Sequence, residues 1–428
     1  MKIDKSYFYN IIYYFVAIFF SQGSTFFAGI LLANTLDVST YGRFTYLLIF
    51  INTFISLTGL GLTSVANRFV SELKDESKEK LSGVLTFFTK SLLFINIPLL
   101  LILFIFNNVI NDYFFTEPMS YGFWFILILI ILLTSFNNLF IGTLQGFLKY
   151  KELAITSCIY GISYVLGIYY FSILFGFIGI FIGILTASAI FYIFLLYFVH
   201  KKINSFTFNN KIASADKIGI INYIIPNLLI SFLTMPTLLI TQKYLSSISG
   251  GYNEIALFNV AFTLVNLAAI IPSLINTVVS SYLFSQTKNN NLFNSIFRNN
   301  QIGLYTIVVL EISLLLVAGR FILNIYGNIY QEAYNILAIL SLSLLFDIIS
   351  NTYSNVIIAN NKMWKSLLQI ALPRDLATLI LGYFLTMKFG ATGLAITLLI
   401  TKILSSIFTF LTYKQITIEQ KRNINLIA

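Results

Sequence analysis

Residues 44–66 read FTYLLIFINTFISLTGLGLTSVA, and residues 67–80 read NRFVSELKDESKEK. The first stretch carries no charge and, as a helix rising 1.5 Å per residue, is long enough to cross a hydrocarbon core of about 30 Å. Arg43 stands at one end. At the other end Arg68, Lys74, Lys78 and Lys80 interleave with Glu72, Asp75, Glu76 and Glu79. An apolar span with a single cation at one mouth and a charge-dense loop at the other reads as a transmembrane helix.

The rest of the chain repeats that pattern. Over 428 residues it is 58% hydrophobic and only 10% charged, with a mean hydropathy of +0.86, where soluble proteins average roughly a quarter charged residues. The expected fold class is an all-α polytopic membrane protein. A net charge of +10 would suggest nucleic acid in a soluble protein, but here the cations cluster at span ends, as membrane topology requires. No nucleic-acid partner is expected. Cys158, the one cysteine, lies inside an apolar run, so no intrachain disulfide, metal cluster or metal cofactor is expected. After MKIDKS the apolar run continues without a small-residue cleavage site, which reads as a first transmembrane helix rather than a cleaved signal.

Apolar stretches of sufficient length occur at about 8–34, 41–66, 82–106, 121–147, 153–175, 177–199, 218–243, 255–284, 295–318, 333–358, 364–387 and 391–412. These are twelve spans. With the N-terminus inside, 20 of the 26 Lys and Arg residues fall on inner segments, and only Arg43, Lys243, Arg320 and Lys388 fall outside. That asymmetry predicts a multi-pass protein of the plasma (inner) membrane with both termini cytoplasmic.

The sequence FGFIG at 175–179 joins spans five and six, and FGATG at 389–393, an offset of 214 residues, joins spans eleven and twelve. Six helices are therefore expected to repeat as six, giving two six-helix bundles related by a pseudo-two-fold along the membrane normal. The expected division is 1–200 for the N-terminal bundle, 201–217 for a cytoplasmic linker and 218–428 for the C-terminal bundle.

Ionisable groups at mid-membrane cost a few kcal/mol each by insertion scales, so they are functional candidates by default. Asp347 falls near the middle of span ten, Arg374 and Asp375 near the middle of span eleven, and Lys402 near the middle of span twelve; Glu311 lies in the outer part of span nine. Neutralising pairs such as Arg374 with Asp347 and Lys402 with Asp375 would fix packing, or exchange partners during transport. The first half has amides and hydroxyls instead, among them Asn137, Asn138 and Gln145. Pro226 and Pro236 make span seven the expected place for bending. His200 sits beside Lys201 and Lys202 at a span end, and neither a Walker A loop nor a sizeable outer domain is present.

Tyr41-Gly42-Arg43-Phe44, Gly59-Leu60-Gly61, Asn67-Arg68-Phe69-Val70-Ser71-Glu72, Gly142-Thr143-Leu144-Gln145-Gly146 and Phe389-Gly390-Ala391-Thr392-Gly393 stand in an order and spacing that resembles the O-antigen type polysaccharide flippases. These belong to the multidrug, oligosaccharidyl-lipid and polysaccharide export superfamily. The resemblance implies a non-enzymatic flippase that moves an undecaprenyl diphosphate-linked oligosaccharide, an O-antigen or capsule repeat unit, to the outer leaflet by alternating access. It further implies membrane lipid, a polysaccharide polymerase and a chain-length regulator as partners.

By that resemblance Arg43, Arg68, Lys243, Arg374 and Lys402 are the expected diphosphate or sugar contacts, and Arg suits phosphate. Gln242 precedes Lys243 where relatives are expected to carry an acid. That leaves Glu311, Asp347 and Asp375 for ion coupling. Arg43 and Arg68 would lie about 37 Å apart along one straight helix, and so would act in sequence. The competing reading, a membrane-embedded polysaccharide polymerase or lipid-linked glycosyltransferase, calls for catalytic groups on a large outer loop. A multidrug exporter of the same superfamily would call for acids in the first half.

Overall fold

The computed structural model describes residues 5–59, 61–74, 78–115, 118–203, 214–276, 290–359 and 362–427. Most of the expected linker, with Lys211, and the charged positions Asp75, Glu76, Glu117 and Lys288 lie outside them. The described elements are helices: α1 Lys5–Thr35, α2 Val38–Gly59, α3 Leu62–Leu73, α4 Lys78–Ile105, α5 Asn107–Phe114, α6 Tyr121–Gly146, α7 Tyr150–Ile203, α8 Ser214–Ser246, α9 Gly251–Ala268 and α10 Asn290–Tyr326. After a 3-10 segment at Asn328–Ala333 come α11 Tyr334–Ala359, α12 Met363–Ser366 and α13 Leu372–Ile427.

Ten described helices are long and apolar enough to cross a membrane, and two of them, in α7 and α13, are more than 50 residues long. Each of these breaks at a glycine. Gly176 has φ 60°, ψ −137° and Gly390 has φ 58°, ψ −139°, a region that only glycine occupies without strain. Each break folds its helix into two arms, and counting the arms separately gives twelve crossing segments. The two turns are the same turn. Gly179 and Gly393, three residues after the respective breaks, have no room for a Cβ because the carbonyls of Phe171 and Leu385 lie there. All three pairs are 214 residues apart, so the offset seen in the sequence is an offset in backbone conformation.

The chain divides into two compact units, one formed by Met1–Leu31 and Leu48–Phe232, the other by Leu32–Leu47 and Leu233–Ala428. By contacts the 32–47 segment groups with the second unit, and the start of α8 with the first.

In the first unit the expected straight helix over 44–66 is interrupted. Gly61 adopts a left-handed conformation (φ 61°, ψ 23°), and α3 begins afresh at Leu62. Asp37 starts α2 by accepting the Thr40 N–H at 2.9 Å, and Thr40 holds its carboxyl below the ordinary carboxylate range. At 22 residues, α2 is about 33 Å long and can cross the membrane alone. The buried face of α3, Leu62, Val65, Ala66 and Val70, packs on α6, and the glycines of the GTLQG motif make that seam possible. A Cβ at Gly142 would meet the backbone of Thr63, and one at Gly146 would meet Val70 and the Asn67 carbonyl. Polar groups here tie helices together. Asn137 donates to the Ser188 carbonyl at 3.1 Å, Thr63 donates to the Asn138 carbonyl at 3.0 Å, and the Thr58 and Ser135 hydroxyls pair at 2.6 Å.

In the second unit the 32–47 segment is held by polar contacts. Asn34 donates to the Ile325 carbonyl at 2.9 Å, and the Tyr41 and Tyr330 rings meet edge to face at 5.7 Å. Gly42 lies so close to the Tyr252 carbonyl that a Cβ would collide with it. The buried amides of Gln242 and Asn259 pair reciprocally at 2.9 and 3.2 Å, and Asn259 also donates to Thr45 at 3.1 Å. The amide at 242, unexpected from the sequence, therefore has a structural partner. α8 is assigned as one helix through Pro226 and Pro236. The helix before Pro373 changes register, as a π segment at Leu367–Ala371, because proline has no N–H to give to the carbonyl one turn back.

Gly176 has open space around its missing Cβ, whereas a Cβ on Gly390 would meet the Glu254 carboxylate, which accepts the Ala391 N–H at 2.7 Å. Gly176→Ala should therefore cost only the backbone strain, about 1–3 kcal/mol, and Gly390→Ala more. Thermal unfolding of the two purified variants in the same detergent checks the order; equal losses would contradict it.

Candidate functional site

The four mid-depth charges of the second unit line one cavity. Its volume is about 190 Å³, and its wall includes Thr234, Asn266, Ser343, Asp347, Arg374, Asp375, Thr378 and Lys402, with Met235, Leu238, Phe262 and Leu344 supplying apolar surface. The space is partly open, and its enclosed part has room for a phosphate-sized group. α8 and α9 supply Thr234 and Asn266, α11 supplies Asp347, and the two arms of α13 supply Arg374 with Asp375 and Lys402. The fold at Gly390 is what returns Lys402 to the depth of Arg374.

The pairing differs from the one expected. Arg374 does not pair with Asp347; its Nε donates to Asp375 Oδ1 at 2.8 Å and its Nη2 to Asp375 Oδ2 at 3.0 Å. Thr234 closes the group, accepting from Arg374 Nη2 at 2.6 Å and donating to Asp375 Oδ2 at 3.0 Å. Adjacent helical residues point about 100° apart, but the arginine is long enough to fold back, and its planar fork then matches the carboxylate bidentately. Lys402 Nζ donates instead to Asp347 Oδ1 at 2.5 Å, joining α13 to α11.

The two pairs differ in access. The Arg374 and Asp375 side chains are 20% and 5% exposed, those of Lys402 and Asp347 33% and 34%. Both pairs line the cavity; the first is a less exposed clamp between α8 and α13, the second is the more open.

The other expected site residues are not in this cavity. Arg43 is half-buried near the start of α2, in the second unit, and Lys243 is half-buried in the last turns of α8. Arg68 is exposed on α3 of the first unit, with its Nε 3.0 Å from Glu72 Oε1 and its guanidinium 5.8 Å from the Phe69 ring centroid. Glu311 lies between Val308 and Leu315 on the buried side of α10, and both of its carboxylate oxygens are buried without a hydrogen-bond partner among the described residues. Thr234 and Asn266 were missed by sequence reasoning. A hydroxyl two residues before Pro236 was the available signal.

No protein-family model and no curated protein matches the chain by sequence. Solved structures do match along nearly its whole length. An inward-facing multidrug resistance MATE family transporter of the MOP superfamily superposes with a TM-score of 0.75 at 14% identity, covering 96% of each chain. The chain has the fold of the MOP-superfamily transporters. The lipid II flippase MurJ, in an inward closed conformation, gives a TM-score of 0.73 at 19% identity over 94% of this chain and 87% of that one. A MOP superfamily transporter from Pyrococcus furiosus, described as having a binding pocket of reverse polarity, gives 0.70 at 14% over 95% and 94%. These are transporters and a flippase, not enzymes, and the protein is a multi-pass membrane protein.

Removing Arg374 strands a buried carboxylate, whereas removing Lys402 leaves Asp347 able to reach water. Arg374→Ala should cost about 3–5 kcal/mol and Lys402→Ala about 1 kcal/mol or less. Detergent-solubilised melting temperatures test this order, and a larger loss for Lys402→Ala would contradict it.

Proposed function

We propose that the protein is a flippase for a lipid-linked oligosaccharide, moving an undecaprenyl diphosphate-linked O-antigen or capsule repeat unit from the cytoplasmic to the outer leaflet of the inner membrane by alternating access. The observation that carries the reading is a cavity with two cations at mid-depth in a fold shared with a lipid II flippase. A diphosphate carries negative charge and needs fixed donors in a desolvated place. The cavity has room for that group; in this reading the sugars take the space into which it opens and the polyprenyl tail stays in lipid. The two-bundle organisation, cut at 1–200 and 218–428, is part of this proposal, as are the cytoplasmic termini.

Within it, Arg374 and Lys402 serve the diphosphate in the second bundle, and Arg43, Arg68 and Lys243 contact diphosphate or sugar at the span ends. Glu311, Asp347 and Asp375 are the groups for proton or sodium coupling, Glu311 because its carboxylate oxygens are buried without a partner among the described residues. A polysaccharide polymerase and a chain-length regulator would receive the product.

In cells that depend on this chain for surface polysaccharide, Lys402→Ala and Arg374→Lys, at normal abundance, should each lower assembly about tenfold or more, the scale of one lost hydrogen bond to a charged group. Surface polysaccharide at the wild-type level in both variants would contradict the site. Transport unchanged after collapse of both the proton and sodium gradients would remove the coupling.

A further inference from the structure

Only one of the cavity's two cations has its counter-ion in an exchangeable position. Arg374 spends its Nε and Nη2 on Asp375 and Thr234 in a closed ring, and the carboxylate in that ring is 5% exposed. Opening it would leave a buried charge unpaired. Among the described residues Lys402 has one carboxylate contact, Asp347 Oδ1, and both side chains are about one-third exposed at the cavity wall. An ammonium has three donors and no fixed geometry, so an incoming anion can take it over without rearranging a fork. Asp347 reaches it from a different helix, α11, so its side chain can rotate off the ammonium without opening the Arg374–Asp375 ring.

We propose that Asp347 is a built-in stand-in for the substrate's phosphate: a phosphate or diphosphate oxygen displaces it from Lys402, while Arg374 keeps its ring with Asp375 and Thr234 and meets the anion only through Nη1, which that ring does not use. This rests on the flippase reading for the identity of the ligand, but the displacement itself does not. The charged groups facing Lys402 across the cavity are Asp347 of α11 and Arg374 and Asp375 of the first α13 arm; of these, Asp347 is its counter-ion. The consequence is a sign that a purely structural ion pair would not give. Removing the aspartate's charge should strengthen anion binding, and removing the lysine should weaken it.

The test titrates inorganic pyrophosphate into the purified full-length protein in neutral-lipid nanodiscs, by calorimetry. Asp347→Asn should bind at least about tenfold more tightly than wild type and Lys402→Ala at least about tenfold more weakly, the order of one hydrogen bond to a charged group. The double variant should bind as weakly as Lys402→Ala. Asp347→Ser, with the same expected gain, guards against a folding defect peculiar to the asparagine, and melting temperatures report folding in every case.

Weaker or unchanged binding in both folded Asp347 variants overturns the proposal, and so does a gain that survives in the double variant. Repeating the series with farnesyl diphosphate separates the sources of the same chemistry. Tighter binding than pyrophosphate, still dependent on Lys402, supports displacement by a lipid-linked diphosphate. Equal binding supports displacement by a free one and counts against the flippase reading alone.

Discussion

A charge inside the hydrocarbon region must be neutralised or hydrated, and the second unit of this protein is arranged around that requirement. Its mid-depth charges are two cations and two anions gathered at one cavity, so the helices carrying them cannot move past one another without breaking or exchanging ion pairs. One pair is desolvated and bidentate and fixes α13 against α8 through Thr234. The other bridges α11 and α13 at the cavity wall. The two pairs thereby differ in how firmly they are held. A buried pair is costly to break once one partner is removed, while a wetter one is worth little as glue and can be used for binding.

Backbone features place those charges. The turn at Gly390 brings the second arm of α13 back along the first, and Glu254 caps the returning arm through the Ala391 N–H. The π segment before Pro373 changes the helix register immediately ahead of Arg374, at a point where the side-chain direction decides whether the guanidinium reaches Asp375. The first unit uses the same glycine turn at 176 but has hydroxyl and amide packing where the second has charge. The two halves thus share a backbone plan and differ in chemistry.

Much of this was legible in the sequence, because the membrane imposes a length on every span and a charge pattern on every loop. The span positions agree with the helices, and FGFIG and FGATG mark the two turns because glycine alone adopts that backbone. The clustering of Asp347, Arg374, Asp375 and Lys402 followed from equal depth on helices close in sequence. Their pairing did not follow. Spacing along a helix gives direction to within a turn, but not how far an arginine folds back toward its own neighbour.

The break at Gly61 was hidden by an apolar run that reads continuously through it, and the place of Leu32–Leu47 in the second unit depends on contacts with residues more than 200 positions away, such as Thr45 with Asn259. The role of Gln242 was invisible for the same reason. Its partner, Asn259, lies on another helix.

The central claim is that this fold and this cavity move a diphosphate-linked lipid across the bilayer. Proteoliposomes containing the purified protein and a short-chain polyprenyl diphosphate-oligosaccharide with a fluorescent sugar measure that directly, with a membrane-impermeant quencher reporting which leaflet the sugar occupies. The account predicts that wild-type protein speeds the exchange between leaflets well beyond empty liposomes and that Lys402→Ala removes most of the gain. Exchange no faster than in empty liposomes, under an imposed proton gradient and an imposed sodium gradient alike, would contradict it.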